Sequence, residues 1–403
     1  MIVSTFNLYK NSYGGLSRNT WLLSLVMLVN RSGTMVIPFM TMYMTQETGV
    51  GIGKAGFVMS LFGAGAIIGA LAGGRLTDKI GYYYIQLFTL LGGGVMFIIL
   101  GQMKSYTAIC IATFFLSMIN EAFRPANAVA IAHYSKNENR IRSYSLNRLA
   151  VNLGWAFGSA IGGIIASYRY ELLFWVDGFT NIFAALLLYL VLSPSKNKET
   201  FSKKLTTDTV IAEKNSAYKD KPYLFFTGIT ILFAICFFQL FTTLPVFYKT
   251  QLNLSELLIG MIMAVNGLLI ALFEMVIVFK LEGRRSPAKY MATGVVLVGL
   301  AYLVLNLPLA SGALIAFISI VVVTIGEIVA MPFMNAYWIA RTSNENRGQY
   351  AALYTVAWSS AQAVGPFIGS QVAEHFGYNL LWWIVGITCM LLFLAYKYLD
   401  TKQ

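Results

Sequence analysis

Charge is scarce in this sequence. Only 11% of its 403 residues are Asp, Glu, Lys or Arg, against roughly 25% in a soluble globular chain. So few charges cannot clothe a chain of this length for water, which excludes an ordinary soluble domain. Cysteine is nearly absent as well. Cys110, Cys236 and Cys389 all fall inside apolar runs, with neither metal-ligand spacing nor a disulfide framework, and no cofactor or metal is expected. No Gly-rich phosphate-binding loop is present, which argues against an ATP-driven pump. Residues 1–18 are polar and lack a secretory signal, so the first apolar run is expected to remain as a membrane anchor.

What is there is hydrophobicity, 57% of the residues, with a mean hydropathy of +0.66. It is gathered into long runs separated by short polar clusters. The dyad alternation of a membrane β-barrel is missing, so the runs are read as helices that satisfy their own backbone in lipid. Twelve are predicted, at 19–45, 53–73, 83–103, 106–133, 143–167, 172–192, 222–248, 257–280, 288–307, 312–339, 349–372 and 378–398. The fold class expected is an all-α membrane protein.

The basic residues are distributed unevenly. Of the 29 Lys and Arg, 22 fall on the N-terminus, the even-numbered loops and the C-terminus. Such a bias places both termini in the cytoplasm, for a multi-pass protein of the cell inner membrane. The net charge of +12 is therefore a topology signal rather than a nucleic-acid surface.

The chain repeats itself. The polar stretch 193–221 divides it into an N-terminal bundle (1–192) and a C-terminal bundle (222–403), and a shift of 207 residues superposes the two. Pro38 then meets Pro245, Gly53 meets Gly260, and Pro125 meets Pro332. Asn137-Glu138-Asn139-Arg140 meets Asn344-Glu345-Asn346-Arg347, and Gly158 and Gly162 meet Gly365 and Gly369. Two parallel six-helix repeats place a cavity between them near the bilayer midplane.

Three motifs follow. Between helices 2 and 3 runs Gly74-Arg75-Leu76-Thr77-Asp78-Lys79-Ile80-Gly81, where Gly74 suits close helix approach and Gly81 a tight turn. Helix 5 carries Gly154, Gly158 and Gly162 at four-residue spacing, a smooth groove for a packing neighbour. Helix 11 carries Gly365-Pro366 and Gly369. The first motif resembles the G-x-x-x-D-[RK]-x-G-[RK]-[RK] loop of the major facilitator superfamily, with Tyr82 and Tyr83 in place of the last basic pair. The second resembles that family's helix 5 antiporter motif, with Ser159 in place of its proline. The resemblance implies two pseudo-symmetric bundles that rock about a central site, with these glycines, Asp78, Lys79 and Arg140 serving the conformational change.

Ionisable residues inside the membrane point to mechanism. Helix 1 carries Asn30 and Arg31 about 15 Å deep at the helical rise. Helix 4 carries Glu121, Arg124 and Asn127 at three-residue spacing, which puts them near one face. Glu274 lies on helix 8, and Glu327, with no basic residue in its own run, near the middle of helix 10. Arg148 is read as snorkelling or touching a loop. Gln239, Asn266 and Asn335 are polar candidates in the second half.

The segment Gly326-Glu327-Ile328-Val329-Ala330-Met331-Pro332 resembles the twelve-helix drug/proton antiporters, which implies a proton-coupling role for Glu327. Asn30-Arg31 and Arg124-Pro125-Ala126-Asn127 weakly resemble motifs of the proton-coupled oligopeptide transporters, without their glutamates. The expectation is not an enzyme but a monomeric secondary transporter that handles a small molecule and protons in a lipid bilayer. Proton-driven efflux of small amphiphiles is the leading reading, with uptake of short peptides or organic anions as alternative. A non-transporting sensor or scaffold is the alternative of another class.

Overall fold

The computed structural model describes residues 15–135, 140–192, 216–308, 311–342 and 347–401. Among these residues every regular element is helical. The twelve expected helices are present, three of them interrupted. The first is α1, made of α1a (Arg18–Ser32) and α1b (Val36–Gln46). Then come α2 (Ile52–Ile80), α3 (Tyr82–Gln102), α4a (Tyr106–Glu121) with α4b (Phe123–Tyr134), α5 (Arg140–Tyr168) and α6 (Glu171–Val191). The second half has α7a (Lys221–Phe238) with α7b (Thr243–Thr250), α8 (Glu256–Leu281), α9 (Pro287–Leu303), α10 (Gly312–Ala340), α11 (Arg347–Phe376) and α12 (Tyr378–Asp400). The loop motifs at 137–139 and 344–346 and most of the stretch 193–221 lie outside the described residues, as does the Arg140 side chain.

Eleven of the helices are long and apolar enough to cross a membrane. The remaining one, α11, is 30 residues long but carries Ser359, Ser360, Gln362, Gln371 and Glu374. Its polarity fits its place, because it packs on α2 of the other half instead of facing only lipid. Across the outer surface, Leu71, Phe88, Phe183, Leu190, Phe279 and Leu391 are exposed, as lipid-facing side chains are.

The interruptions were not expected, and the repeat organises two of them. Residues 33–35 of α1 and 239–242 of α7 coincide at the 207-residue offset. Pro38 and Pro245 follow at equal distance and deprive the carbonyls of Thr34 and Phe241 of their usual N–H. In α4 the cause is Pro125, whose ring and missing N–H act on the carbonyl four residues back, at Glu121, where α4a stops. Two one-residue turns demand glycine: Gly81 between α2 and α3 has φ +97°, and Gly377 between α11 and α12 has φ +84°.

Candidate functional site

The halves meet along α5 with α8 and α2 with α11. Their close approaches run from the membrane face opposite the termini into the middle of the helices, where a Cβ on Gly63 would stand 2.4 Å from the Ala363 Cα. At that face the Gly53 N–H donates to Glu374 Oε2 (2.9 Å), and the Tyr170 hydroxyl donates to Glu256 Oε1 (3.0 Å), which also pairs with Lys249 (2.6 Å). A Cβ on Gly163 would stand 2.8 Å from the Gly260 Cα, so these two helices touch backbone to backbone. Toward the face that carries the termini, the described ion pairs between halves reduce to one: Arg148 Nη2 to Glu274 Oε2 at 2.7 Å. The Arg148 side chain keeps 44% exposure and the Glu274 side chain 8%, so the arginine is the accessible partner of a nearly buried carboxylate. Arg148 is thus an inter-half contact, not the snorkelling or loop-touching side chain its position suggests. Sequence alone could not bring residues 126 apart together.

The candidate polar residues fall into two clusters. In the first half a pocket between α1, α2, α3, α4 and α6 is lined by Asn30, Arg31, Thr34, Asn120, Glu121 and Asn181 among others. Glu121 holds Arg124 at 3.1 Å, while Arg124 itself is mostly exposed. The Arg31 Nε is buried without a hydrogen-bond acceptor. Asn127 does not line the pocket with Glu121. It accepts from Gln86 (3.2 Å) and donates to Asn147 (3.3 Å), tying α3, α4 and α5 together away from the pocket.

The second cluster runs along α8. Asn266 Nδ2 donates to Glu327 Oε2 (3.1 Å) and to Thr324 Oγ1 (3.0 Å). Glu274 lies eight residues further along α8, about 12 Å at the helical rise. No cation stands within 4 Å of Glu327 among the described residues. Gln239 and Asn335 are committed locally. Gln239 donates to the carbonyls of Gly365 (2.9 Å) and Ile235 (3.0 Å) and accepts from Thr243, which holds the α7 interruption against α11. Asn335 accepts from Trp338 Nε1 on its own helix (3.2 Å). Between the clusters Trp155 of α5 meets Phe241 of α7 edge to face at 5.2 Å, and Trp358 packs on Phe233, Phe237 and Phe238.

The glycines of helices 5 and 11 receive packing neighbours within their own halves. Gly154, Gly158 and Gly162 line the groove that receives α1 of their own half. A Cβ on Gly158 would meet the carbonyl oxygens of Arg31, Ser32 and Thr34 at 3.1–3.4 Å, so the unwound part of α1 needs this bare backbone. Gly365 and Gly369 receive α7 in the same way, with Pro366 between them inside α11. The inter-half glycine of α5 is Gly163. Gly74 has no neighbour within 4 Å of a Cβ, so close helix approach is not its reason. Asp78 and Lys79 are exposed beside the Gly81 turn. One buried acid escaped the sequence reading: Asp177 in the middle of α6, fully buried. Its signal was present, a lone carboxylate inside the apolar run 172–192.

Two pseudo-symmetric six-helix bundles, packed tightly at one face and holding buried charge between and within them, define a membrane transporter. The chain belongs to the Major Facilitator Superfamily, whose family model matches residues 21–366 and 252–403. It is 23% identical over 388 residues to a "Na(+), Li(+), K(+)/H(+) antiporter" of Planococcus maritimus, covering 89% of this chain and 90% of the relative. It is 21% identical over 371 residues to the "Tetracycline resistance protein, class B" of Escherichia coli, covering 86% and 87%. Among solved structures, a POT family transporter in complex with 5-aminolevulinic acid superposes with a TM-score of 0.80 at 16% identity, over 97% of both chains. That likeness is one of fold. The family and the fold are those of transporters, not enzymes.

Proposed function

We propose that this chain is a proton-coupled antiporter that exports small amphiphilic compounds across the cytoplasmic membrane. The observation that carries the reading is Glu327, a membrane-interior carboxylate held by Asn266 at 3.1 Å with no cation beside it among the described residues. A carboxylate so placed is expensive to keep charged, so taking up a proton relieves its cost. The Arg148–Glu274 pair on the adjoining helix is the contact that must part or re-form as the halves rock. The aromatic wall of Trp155, Phe241, Phe238 and Trp358 suits a flat, partly apolar cargo. In this reading residues 1–192 and 222–403 are the two rocking bundles, joined by a cytoplasmic linker at 193–221, and both termini are cytoplasmic. The relatives support efflux, since one is a tetracycline resistance protein and another a cation/proton antiporter.

A second reading has its own observation. The buried Arg31 Nε, lacking an acceptor, faces a pocket that a substrate carboxylate would complete, which suits uptake of a short peptide or organic anion.

Everted membrane vesicles with an imposed pH gradient test both. The expected result is proton release from the acidified lumen on adding ethidium, a lipophilic aromatic cation. Proton release that requires Ala-Ala preloaded in the lumen, which a symporter would carry out together with protons, and none with ethidium, favours the second reading. Release with neither probe nor with any of a panel of amphiphiles and organic anions supports a non-transporting sensor or scaffold.

A further inference from the structure

The two interrupted helices are related by the repeat, yet their exposed backbone groups are satisfied by different means. In α7 the means are local. The Thr242 N–H donates to the Gln239 carbonyl, and Gln239 Nε2 donates to the Ile235 carbonyl (3.0 Å). In α1 they come from α6. Asp177 accepts the Met35 N–H on both carboxylate oxygens (3.0 Å each) and the Val36 N–H on Oδ2 (2.8 Å). The carboxylate thus sits at the N-terminus of α1b, where free N–H groups and the helix dipole favour an anion. At the repeat offset the residue matching Asp177 is Ile384, so the second half holds no such acid.

The same stretch of α6 reaches the first-half pocket. Asn181 Nδ2 donates to the Asp177 carbonyl (2.8 Å), and Asn181 Oδ1 accepts from Asn30 Nδ2 (2.9 Å). Thr180 packs over Gly33, between the two halves of the helix. Pro38 marks the gap at 33–35 by crowding the Thr34 carbonyl and withholding its N–H, but it does not occupy the N–H groups inside the gap. Its missing N–H concerns the Thr34 carbonyl and leaves the Met35 and Val36 N–H groups free to return to the Arg31 and Ser32 carbonyls, closing the helix. Asp177 is what diverts them.

We propose that Asp177 is a positioning residue for the first-half pocket. By capturing the Met35 and Val36 N–H groups it keeps α1 open at residues 33–35, and this holds Asn30 and Arg31 turned toward the pocket. The proposal rests on the transporter reading only for its consequence in transport; the helix opening is tested without any substrate.

The experiment is a spin-label distance measurement on the full chain in nanodiscs, with Cys110, Cys236 and Cys389 replaced by Ala. Labels stand at positions 25 on α1a and 47 just after α1b, both exposed. Asp177→Leu removes the acceptor and should let α1 close, shifting the 25–47 distance by about 2–5 Å, the difference between unwound and helical rise over three residues. Asp177→Asn keeps an oxygen that can accept both N–H groups and should restore the parental distance. A label pair spanning 239–242 on α7 should be unmoved in both variants. A parental 25–47 distance in a folded Asp177→Leu chain overturns the proposal. So does a shift on α7 equal to that on α1, which would mean general loosening. Absence of transport with parental distances preserved would instead count against the transporter reading.

Discussion

Arg148 of α5 and Glu274 of α8 meet at 2.7 Å across the boundary between the halves, the inter-half ion pair nearest the face that carries the termini. Removing the arginine strands a nearly buried carboxylate. Arg148→Ala should therefore destabilise the chain by about 1–3 kcal/mol, below the range of a fully buried pair because the guanidinium is half exposed. Glu274→Gln, which leaves no buried charge, should cost less. Thermal melts of the two single variants and the double variant measure this. Additive losses would show that the two residues do not act as a pair.

The glycines make opposite predictions at two positions. Gly163 lies against Gly260, where a Cβ would meet the Glu256 carbonyl at 2.7 Å. Gly163→Leu should wedge the halves apart at the closed face, and cysteines placed at Gly53 and Glu374 should then cross-link less. Gly74→Ala meets open space in a helix interior and should be neutral or stabilising by about 0.5–1 kcal/mol. A strong loss of stability in Gly74→Ala would contradict the placement.

Architecture was legible because its causes repeat along the chain: apolar runs of spanning length, prolines and glycines recurring at one offset. The charged residues were legible as positions but not as pairs. Glu327 lacks a basic residue in its own run, yet its hydrogen bond from Asn266 joins residues 61 apart. Arg148 reads as snorkelling or touching a loop because nothing local reveals α8 beside it. The helix interruptions were hidden for another reason. Pro38 and Pro245 marked the places, but whether the chain unwinds there depends on what receives the freed N–H groups. For α1 that is Asp177, 141 residues past Val36.

A pH effect on stability is expected outside the membrane. Asp220 caps α7a, accepting from Tyr223 N–H, from Arg341 through two bonds of 3.0 Å and from the Tyr350 hydroxyl at 2.8 Å. Burial pushes its carboxyl up, but these donors outweigh burial and hold it below the usual carboxylate value. Its contribution, about 2 kcal/mol for bonds to a charged group, is full above about pH 4, the unfolded carboxylate value, and fades as pH falls through the lower folded value. The melting-temperature gap between the parent and Asp220→Asn should stay flat from about pH 7 to 5 and close below about 4. A gap that widens on acidification would contradict this.

A coupled proton carried by Glu327 makes Glu327→Gln in proteoliposomes the decisive variant. With a transported amphiphile in hand, the variant should still exchange labelled for unlabelled cargo at equal pH, because Gln keeps the shape and the Asn266 contact. It should fail to build a concentration gradient when a pH difference is imposed. Accumulation driven by the pH difference to the parental level in Glu327→Gln would contradict the account.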